Sequence, residues 1–303
     1  MGKIKQKGFT LVEIMVAIIL GSFITAAAIS LYLISQRTYQ IQEAFLSNQN
    51  NIKVVTDILT KSIKRSASTY KGPITGKTIG GDLVLSANSF GYGAVVSKKY
   101  LFQSKTGPSF VDTPSDQIVL MYPLNAVGTN RVIDTDCEGV LNSDNTLRVI
   151  ERYFVRPSKT KPESLVLACD AARYNPLTGD LIKKASDGSW NAWGEADNGI
   201  ELADVDLFHV LLTIQNGGTY RDVSIEDYRN NYITYEVVAI KIGVLLHSTK
   251  SIGLKGIQDF SQRFKVLDQD VQLNATAATS DKKYTYDVVT QTIATRNASG
   301  ALR

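Results

Sequence analysis

The chain has 303 residues and a formal charge of +4, with 33 lysines and arginines against 29 aspartates and glutamates. Three of those lysines lie within the first seven residues, so the rest of the chain is close to neutral. This balance excludes a general nucleic-acid binder, which needs a strongly basic surface. A local basic patch of Lys53, Lys61, Lys64 and Arg65 remains an alternative, but a solvated helix face is the preferred interpretation.

A carboxylate lies at the start of a long apolar segment. Ile14 to Ile34 contain no charged residue, and at about 1.5 Å per residue they span about 30 Å, the thickness of a bilayer core. Glu13 directly precedes them. Burying an ionised carboxylate among lipid tails costs from about 3 to more than about 10 kcal/mol, so Glu13 is expected to have a cationic partner.

Two ordinary alternatives explain this N-terminus less well. A secretory signal peptide has a shorter apolar core, followed by its cleavage site. A plain signal anchor explains the lysines and the length of the apolar segment but leaves Glu13 unexplained.

The string Lys7-Gly8-Phe9-Thr10-Leu11-Val12-Glu13 resembles the type III signal of type IV prepilins. The resemblance implies that a prepilin peptidase cuts between Gly8 and Phe9 and N-methylates Phe9. It also makes Glu13 the assembly carboxylate, which pairs with the Phe9 amine of a neighbouring subunit and so relieves two buried charges. The length near 300 residues, Gln36–Tyr39 and Arg296-Asn297 resemble the large minor pilins called PilW.

A long helix is predicted from about Thr10 to Arg65, because no proline lies between Phe9 and Lys71. At this length the helix is about 80 Å long. Beyond the membrane half, apolar residues recur with the period of a helix face that packs on a domain. This stripe consists of Ile41, Phe45, Ile52, Val55, Leu59 and Ile63.

Residues 66–303 have the pattern of a β-rich head domain. Short apolar runs alternate with turn residues, and no β-α-β alternation is evident, so a predominantly antiparallel sheet is expected. The predicted strands are Leu83–Ser86, Lys99–Gln103, Gln117–Tyr122, Leu147–Val155, Ser164–Cys169, Asp206–Ile214, Tyr232–His247, Phe264–Val266 and Asp287–Ala294.

Two cysteines, Cys137 and Cys169, are expected to form a disulfide in an oxidising compartment. A disulfide that closes a loop of this length would stabilise the fold by about 3–4 kcal/mol in the chain-entropy model. Free thiols and a metal pair are the alternatives, although a zinc site would need four ligands and no histidine lies near either cysteine.

Two acidic clusters are candidate cation sites. Asp134, Asp136 and Glu138, followed by Gly139, match the first half of a calcium loop, but Asn145 stands where its bidentate glutamate should be. A turn of solvated acids is the preferred interpretation. The second cluster contains Glu195, Asp197, Glu201, Asp204 and Asp206. It is interpreted as a solvent-exposed loop that leads into a strand.

No enzyme is expected from the sequence. His209 and His247 lie in apolar strand runs, and Ser280-Asp281-Lys282-Lys283 matches a serine–lysine motif only in its letters. A membrane-anchored enzyme would require one of these histidines in an open cleft beside a nucleophile or a metal ligand. Trp190 and Trp193 could form an aromatic platform on the head, although packing in a turn is preferred.

The predicted fold class is α+β and type IV pilin-like: leader 1–8, helix 9–65 with a transmembrane half at about 14–34, and head 66–303. As the resemblance implies, the chain would be a minor pilin of pilus initiation, located at the tip, that supports adhesion, twitching motility or DNA uptake. Its partners would be other major and minor pilins, the prepilin peptidase, the inner-membrane assembly platform and membrane lipid, with no cofactor. The alternatives are a J-type pseudopilin of type II secretion and a tip adhesin.

The expected location follows from the charges of the leader. Lys3, Lys5 and Lys7 would stay in the cytoplasm, so the chain would cross the inner membrane once, with its head in the periplasm and later on the pilus.

Overall fold

The structure is a computed structural model that describes residues 8–67, 69–71, 78–80, 82–83, 102–123, 135–140, 147–175, 181–182, 199–249, 263–274 and 284–295. Its elements are α1 (Leu11–Ser66), β1 (Thr69–Lys71), β2 (Thr78–Gly80), β3 (Asp82–Leu83), β4 (Gln103–Gly107), β5 (Ser115–Pro123), β6 (Arg148–Pro157), β7 (Leu165–Tyr174), β8 (Leu181–Ile182), β9 (Ile200–Asn216), β10 (Thr219–Ser224), α2 (Ile225–Asn231), β11 (Glu236–His247), β12 (Arg263–Val266), β13 (Gln269–Gln272) and β14 (Tyr286–Ala294).

The head is built on one ten-stranded sheet. Its main path runs β14-β11-β9-β7-β6-β5-β3, with β10 added to β9, β4 to β5 and β8 to β7. Within the described residues, these strands pair antiparallel to one another. The long strand β9 is shared by both halves of the sheet, because its first residues pair with β7 and its last residues pair with β10.

The second half of α1 packs on one face of this sheet. Val55, Leu59 and Ile63 are almost fully buried there, among aliphatic and aromatic side chains of strands β5 to β11. These three residues are spaced by four, which places them on a single side of the helix. The core between helix and sheet therefore forms from a narrow apolar stripe of α1.

The opposite face of the sheet is covered by the hairpin of β12 and β13. Val266 and Val271 pack there with Leu207 and Leu245 of the sheet. A Cβ atom at Gly243 would lie only 2.7 Å from the Val266 side chain and 2.8 Å from that of Leu267. Glycine at this position therefore allows the hairpin to approach the sheet closely.

The structure confirms the predicted fold class, a long N-terminal helix followed by an antiparallel β head. Each predicted strand that lies wholly among the described residues is present, with bounds that differ by up to six residues. The prediction for Tyr232–His247 began too early, because helix α2 and its C-terminal turn occupy the residues before Glu236. Most of Leu83–Ser86 and of Lys99–Gln103 lies outside the described residues.

Candidate functional site

The first turn of α1 holds Glu13 in a capping box. Thr10 is the N-cap, and its hydroxyl accepts a hydrogen bond from the Glu13 backbone N–H at 3.3 Å. In return, the Glu13 carboxylate accepts from the Thr10 backbone N–H at 3.1 Å. Such a box satisfies donors at a helix start that have no partner within the helix. Glu13 therefore both starts the helix and presents its charge at the helix tip.

The apolar half of α1 is bare. None of its most apolar 18 residues is buried in the head. Large side chains such as Phe9, Phe23 and Ile24 are at least 70% exposed. By length and composition α1 can cross a membrane. A surface this apolar requires lipid or other helices around it.

The structure corrects the predicted apolar stripe at its membrane end. Ile41 and Phe45 are 39% and 54% exposed, whereas Ala44 and Asn48 are buried in their place. The Asn48 side chain donates to a carboxylate oxygen of Asp287 at 2.9 Å, so the first contacts between helix and head are partly polar. Ile41 and Phe45 thus extend the exposed apolar surface beyond the predicted membrane half.

A buried carboxylate joins the end of α1 to the head. Glu151 of β6 has no exposed surface, and it accepts hydrogen bonds from the Tyr122 hydroxyl and the Cys137 backbone N–H, each at 2.7 Å. It also accepts from the Tyr153 hydroxyl at 2.9 Å. Arg65 of α1 donates to the Tyr122 oxygen at 3.3 Å. Burial and the Glu151 charge raise the pKa of both tyrosines, so they remain donors.

Cys137 and Cys169 form the predicted disulfide, with 6.3 Å between their Cα atoms. Cys169 lies in the centre of β7, and Cys137 lies in the turn that donates to Glu151. The bond therefore fixes this turn against the sheet beside the end of α1. It also removes the two thiolates that a metal site of Cys137, Cys169 and Glu151 would require.

The first acidic cluster differs from the solvated turn that was predicted. Asp136 is buried and forms an ion pair with Arg173 at 2.8 Å. Its other oxygen accepts from the backbone N–H groups of Glu138 and Val140. Protein groups therefore hold both oxygens of Asp136, while Asp134 lies outside the described residues.

The second acidic cluster belongs to a strand rather than to a wet loop where the structure describes it. Glu201, Asp204 and Asp206 all lie in β9. Glu201 forms an ion pair with Arg156 at 3.2 Å, and Asp206 is buried beside His247. Glu195 and Asp197 lie outside the described residues.

Both histidines are buried in the strands where the sequence predicted them. His209 is held through both ring nitrogens, at 2.7 Å from Asp116 and 2.8 Å from Asp268. His247 lies 3.1 Å from Asp206 through Nδ1 and 3.4 Å from the Ser164 hydroxyl through Nε2. Ser164 and His247 both line one cavity, in which His247 is only 5% exposed.

The stability of the head is expected to fall as the pH rises above about 6.5. Burial by itself lowers the pKa of His209, but Asp116 and Asp268 outweigh burial and raise that pKa above its ordinary value. A raised folded-state pKa stabilises the fold below the unfolded pKa of about 6.5, and this contribution is lost as the pH passes the folded pKa. The free energy of unfolding in urea, measured at pH 6 and pH 9, tests this expectation.

Asp268→Asn is the matched variant for this measurement, because Asp268 is largely exposed and Asp116 remains in place. The variant should lose stability at pH 6 and show a smaller decrease between pH 6 and pH 9. An unchanged pH dependence would contradict the role assigned to the charged His209 pair.

Several sequence-predicted residues lie outside the described residues, and the structure does not address them. They are Lys3, Lys5 and Lys7 of the leader, Trp190 and Trp193, residues 280–283, and Arg296 and Asn297. The basic residues predicted on α1 are described. Lys53, Lys61 and Lys64 are exposed, whereas Arg65 turns inward to the Tyr122 hydroxyl and the Thr135 carbonyl oxygen.

Residues 3–29 match the family described as "Prokaryotic N-terminal methylation motif". The solved structure titled "Type IV-like pilin TTHA1219 from Thermus thermophilus" is similar over 65% of this chain and 82% of that chain, at 12% identity and a TM-score of 0.29. This structural similarity is too low to support an argument about function. No curated protein matches the sequence. The motif covers Gly8, Phe9 and Glu13 and leaves the head unassigned.

Proposed function

We propose that this chain is a minor type IV pilin of the PilW type, which initiates pilus assembly and occupies the fibre tip. The observation that carries the proposal is an N-methylation motif on a helix whose apolar half is bare and whose other half is anchored in a β head. Such a helix fits first a membrane and then a bundle of similar helices. The head beyond residue 66 is too large to repeat easily along a thin fibre, which favours a low-copy position.

The proposed mechanism begins with cleavage between Gly8 and Phe9 and methylation of the new amino terminus. Cleavage creates a cation four residues before Glu13, at the exposed tip of α1. In the bundle, the amine of one subunit would neutralise the carboxylate of the next, because either charge alone in an apolar environment is costly. This pairing would set the axial register between neighbouring helices.

Mass spectrometry of pili purified from the native host tests the proposal. Recovery of this chain at low copy, beginning with N-methyl-Phe9, is the expected result. A mature chain that keeps its lysine-bearing start and never co-purifies with fibres would overturn it. Recovery only with components of a type II secretion system would favour the pseudopilin alternative, which shares the helix and its motif.

Gly8→Ala is expected to leave an uncut precursor in the inner membrane. A Cβ atom at Gly8 would meet no atom within 4 Å, so the substitution does not disturb the packing of this chain. Its effect would therefore report recognition by the peptidase. Intact-mass measurement of the membrane fraction should find the eight leader residues retained. Gly2→Ala, a glycine of the same leader away from the cut, should be processed normally.

A further inference from the structure

Three polar side chains from neighbouring parts of the sheet meet at one end of the head. Ser164 directly precedes β7, Asp206 lies in β9 and His247 ends β11, and these three strands are adjacent in the sheet. His247 Nε2 lies 3.4 Å from the Ser164 hydroxyl oxygen, and His247 Nδ1 lies 3.1 Å from the Asp206 carboxylate. The Ser164 hydroxyl also donates to an Asp204 carboxylate oxygen at 3.4 Å, so two acceptors lie at the same distance from it. Through the contact with His247, the serine, the imidazole and the Asp206 carboxylate lie in series.

A β-bulge positions the carboxylate of this series. Leu245 pairs with Leu207 and Leu246 pairs with Val205, so Asp206 between them has no partner residue in β11. Its carbonyl oxygen accepts instead from the Phe110 backbone N–H at 3.0 Å. Bulges turn a side chain away from the regular alternation of a strand, and they occur often beside active sites. This bulge directs Asp206 toward Nδ1, which leaves Nε2 facing Ser164.

The serine and the imidazole open to a cavity of about 250 Å³. Lys161, Asp204, Thr249 and Tyr284 also line it. Asp206 and His247 are 1% and 5% exposed and form the buried side of the arrangement, whereas Ser164 is partly accessible. The volume is below the range of about 300–1,000 Å³ that is usual for drug-sized ligands. A small polar molecule or a short acyl group is the size that fits.

The other buried histidine provides an internal comparison. His209 has a carboxylate on each ring nitrogen, so no nitrogen remains for a substrate. Such a double pair fastens the turn between β12 and β13 to the sheet. His247 has a carboxylate on one nitrogen and a hydroxyl in a cavity on the other. That difference distinguishes a reactive arrangement from a structural one.

We propose that Ser164, His247 and Asp206 form a serine acyl-transfer site that hydrolyses short-chain esters of polar alcohols. The Ser164 oxygen attacks the ester carbonyl carbon while its proton passes to His247 Nε2. The ester C–O bond then breaks, and the alcohol leaves with the proton from Nε2. Water, activated by the same nitrogen, cleaves the acyl-serine and returns Ser164 and a carboxylic acid.

The remaining groups have separate parts in this site. Asp206 is a positioning residue, because it holds the imidazole tautomer that has Nε2 free to accept a proton. Lys161 lines the same cavity and its charge acts on His247, so its ammonium is a cation for the negative oxygen of the tetrahedral intermediate. The site is independent of fibre assembly, so variants of Gly8 or Glu13 should leave it intact.

The reaction should accelerate as the pH rises, because only the neutral imidazole accepts a proton. The titratable groups that face His247 are Asp204 and Asp206 of β9, Lys161 and Glu163 before β7, and Tyr284 and Tyr286 at β14. Burial lowers the pKa of His247, but the two aspartates outweigh burial and Lys161 and raise it above its ordinary value. For a surface serine without a neighbouring imidazole, the hydrolysis rate would not depend on the protonation state of a histidine.

The test uses the full chain purified in detergent, with p-nitrophenyl acetate as substrate and a fluorophosphonate as label. Wild type should hydrolyse the ester and take up the label, whereas Ser164→Ala should lose both, with a decrease of about 1,000-fold or more in kcat/KM. Ser109→Ala, whose hydroxyl donates to the Val111 carbonyl oxygen, is the matched control and should behave as wild type. A wild type no faster than Ser164→Ala overturns the proposal.

Two further variants separate the chemistry from effects on folding. In Ser164→Cys, iodoacetamide should alkylate the thiol at least about tenfold faster at pH 7 than the thiol of Ser109→Cys, because an imidazole at this distance favours the thiolate. Asp206→Asn should lower kcat more than it raises KM and should shift the pH profile. Equal alkylation rates, or an Asp206→Asn variant with an unchanged profile, would count against the site.

Discussion

Glu13→Ala is expected to abolish incorporation into fibres while cleavage after Gly8 and methylation of Phe9 continue. The reason is the cost of one unpaired ammonium among apolar helices, which is several kcal/mol when its carboxylate partner is removed. The measurement is an immunoblot of sheared fibres and of the membrane fraction, together with the intact mass of the membrane-bound chain. The processed chain should accumulate in the membrane.

Two matched variants separate the charge of Glu13 from its role in the helix cap. Glu13→Gln keeps an oxygen for the Thr10 backbone N–H but carries no charge, so it should fail as Glu13→Ala does. Thr10→Ala removes the other half of the capping box and leaves the carboxylate. Loss of an N-cap costs about 1 kcal/mol of helix stability, which a 56-residue helix should tolerate. Normal fibres in Glu13→Gln would contradict charge pairing.

Glu151→Ala is expected to destabilise the head by about 3 kcal/mol or more, because three donors, two of them buried hydroxyls, lose the carboxylate that accepts from them. These donors are the Tyr122 and Tyr153 hydroxyls and the Cys137 backbone N–H. The loss should appear as a lower free energy of unfolding in urea at pH 7, under oxidising conditions so that the disulfide stays closed. Release of the end of α1 should accompany it.

Tyr122→Phe is the control for this second prediction. It removes one hydroxyl and keeps the ring against Arg65, so it should cost only about 1 kcal/mol. If Glu151→Ala cost no more than Tyr122→Phe, the carboxylate would not be the centre of the network. If neither variant changed the free energy of unfolding, water would have to accept the hydrogen bonds that Glu151 accepts in the wild type.

The sequence predicted α1 well because its signals are local. The absence of proline and a 3.6-residue apolar period require no knowledge of distant residues. The assignment of Ile41 and Phe45 to the head failed for a related reason. Periodicity identifies an apolar side of a helix, but it does not tell where along the helix the domain begins to cover that side. Ala44 and Asn48 mark that position, and neither residue is strongly apolar.

The polar contacts of the head were predictable only in part. Cys137 and Cys169 could be paired because they are the chain's two cysteines. Glu151 and Asp206 carried a weaker signal, a carboxylate inside an apolar strand run, which indicates a buried partner but does not identify it. Their partners come from other strands, and the bulge at Asp206 depends on a pairing register that the sequence does not specify.

The exposed side chains between the apolar segment and the head have a consequence for the direction of assembly. The stretch from Ser35 to Leu46 forms a collar, in which Tyr39, Phe45 and Leu46 are each more than half exposed. Helices that leave lipid for a bundle exchange one apolar neighbour for another, so that part of the transfer has little hydrophobic driving force. The collar instead exchanges water for protein, at about 25 cal/mol for each Å² covered. Burial of the collar against neighbouring subunits would therefore favour transfer of the subunit from the membrane into the fibre. Pairing of Glu13 with the neighbouring amino terminus would then set its axial position.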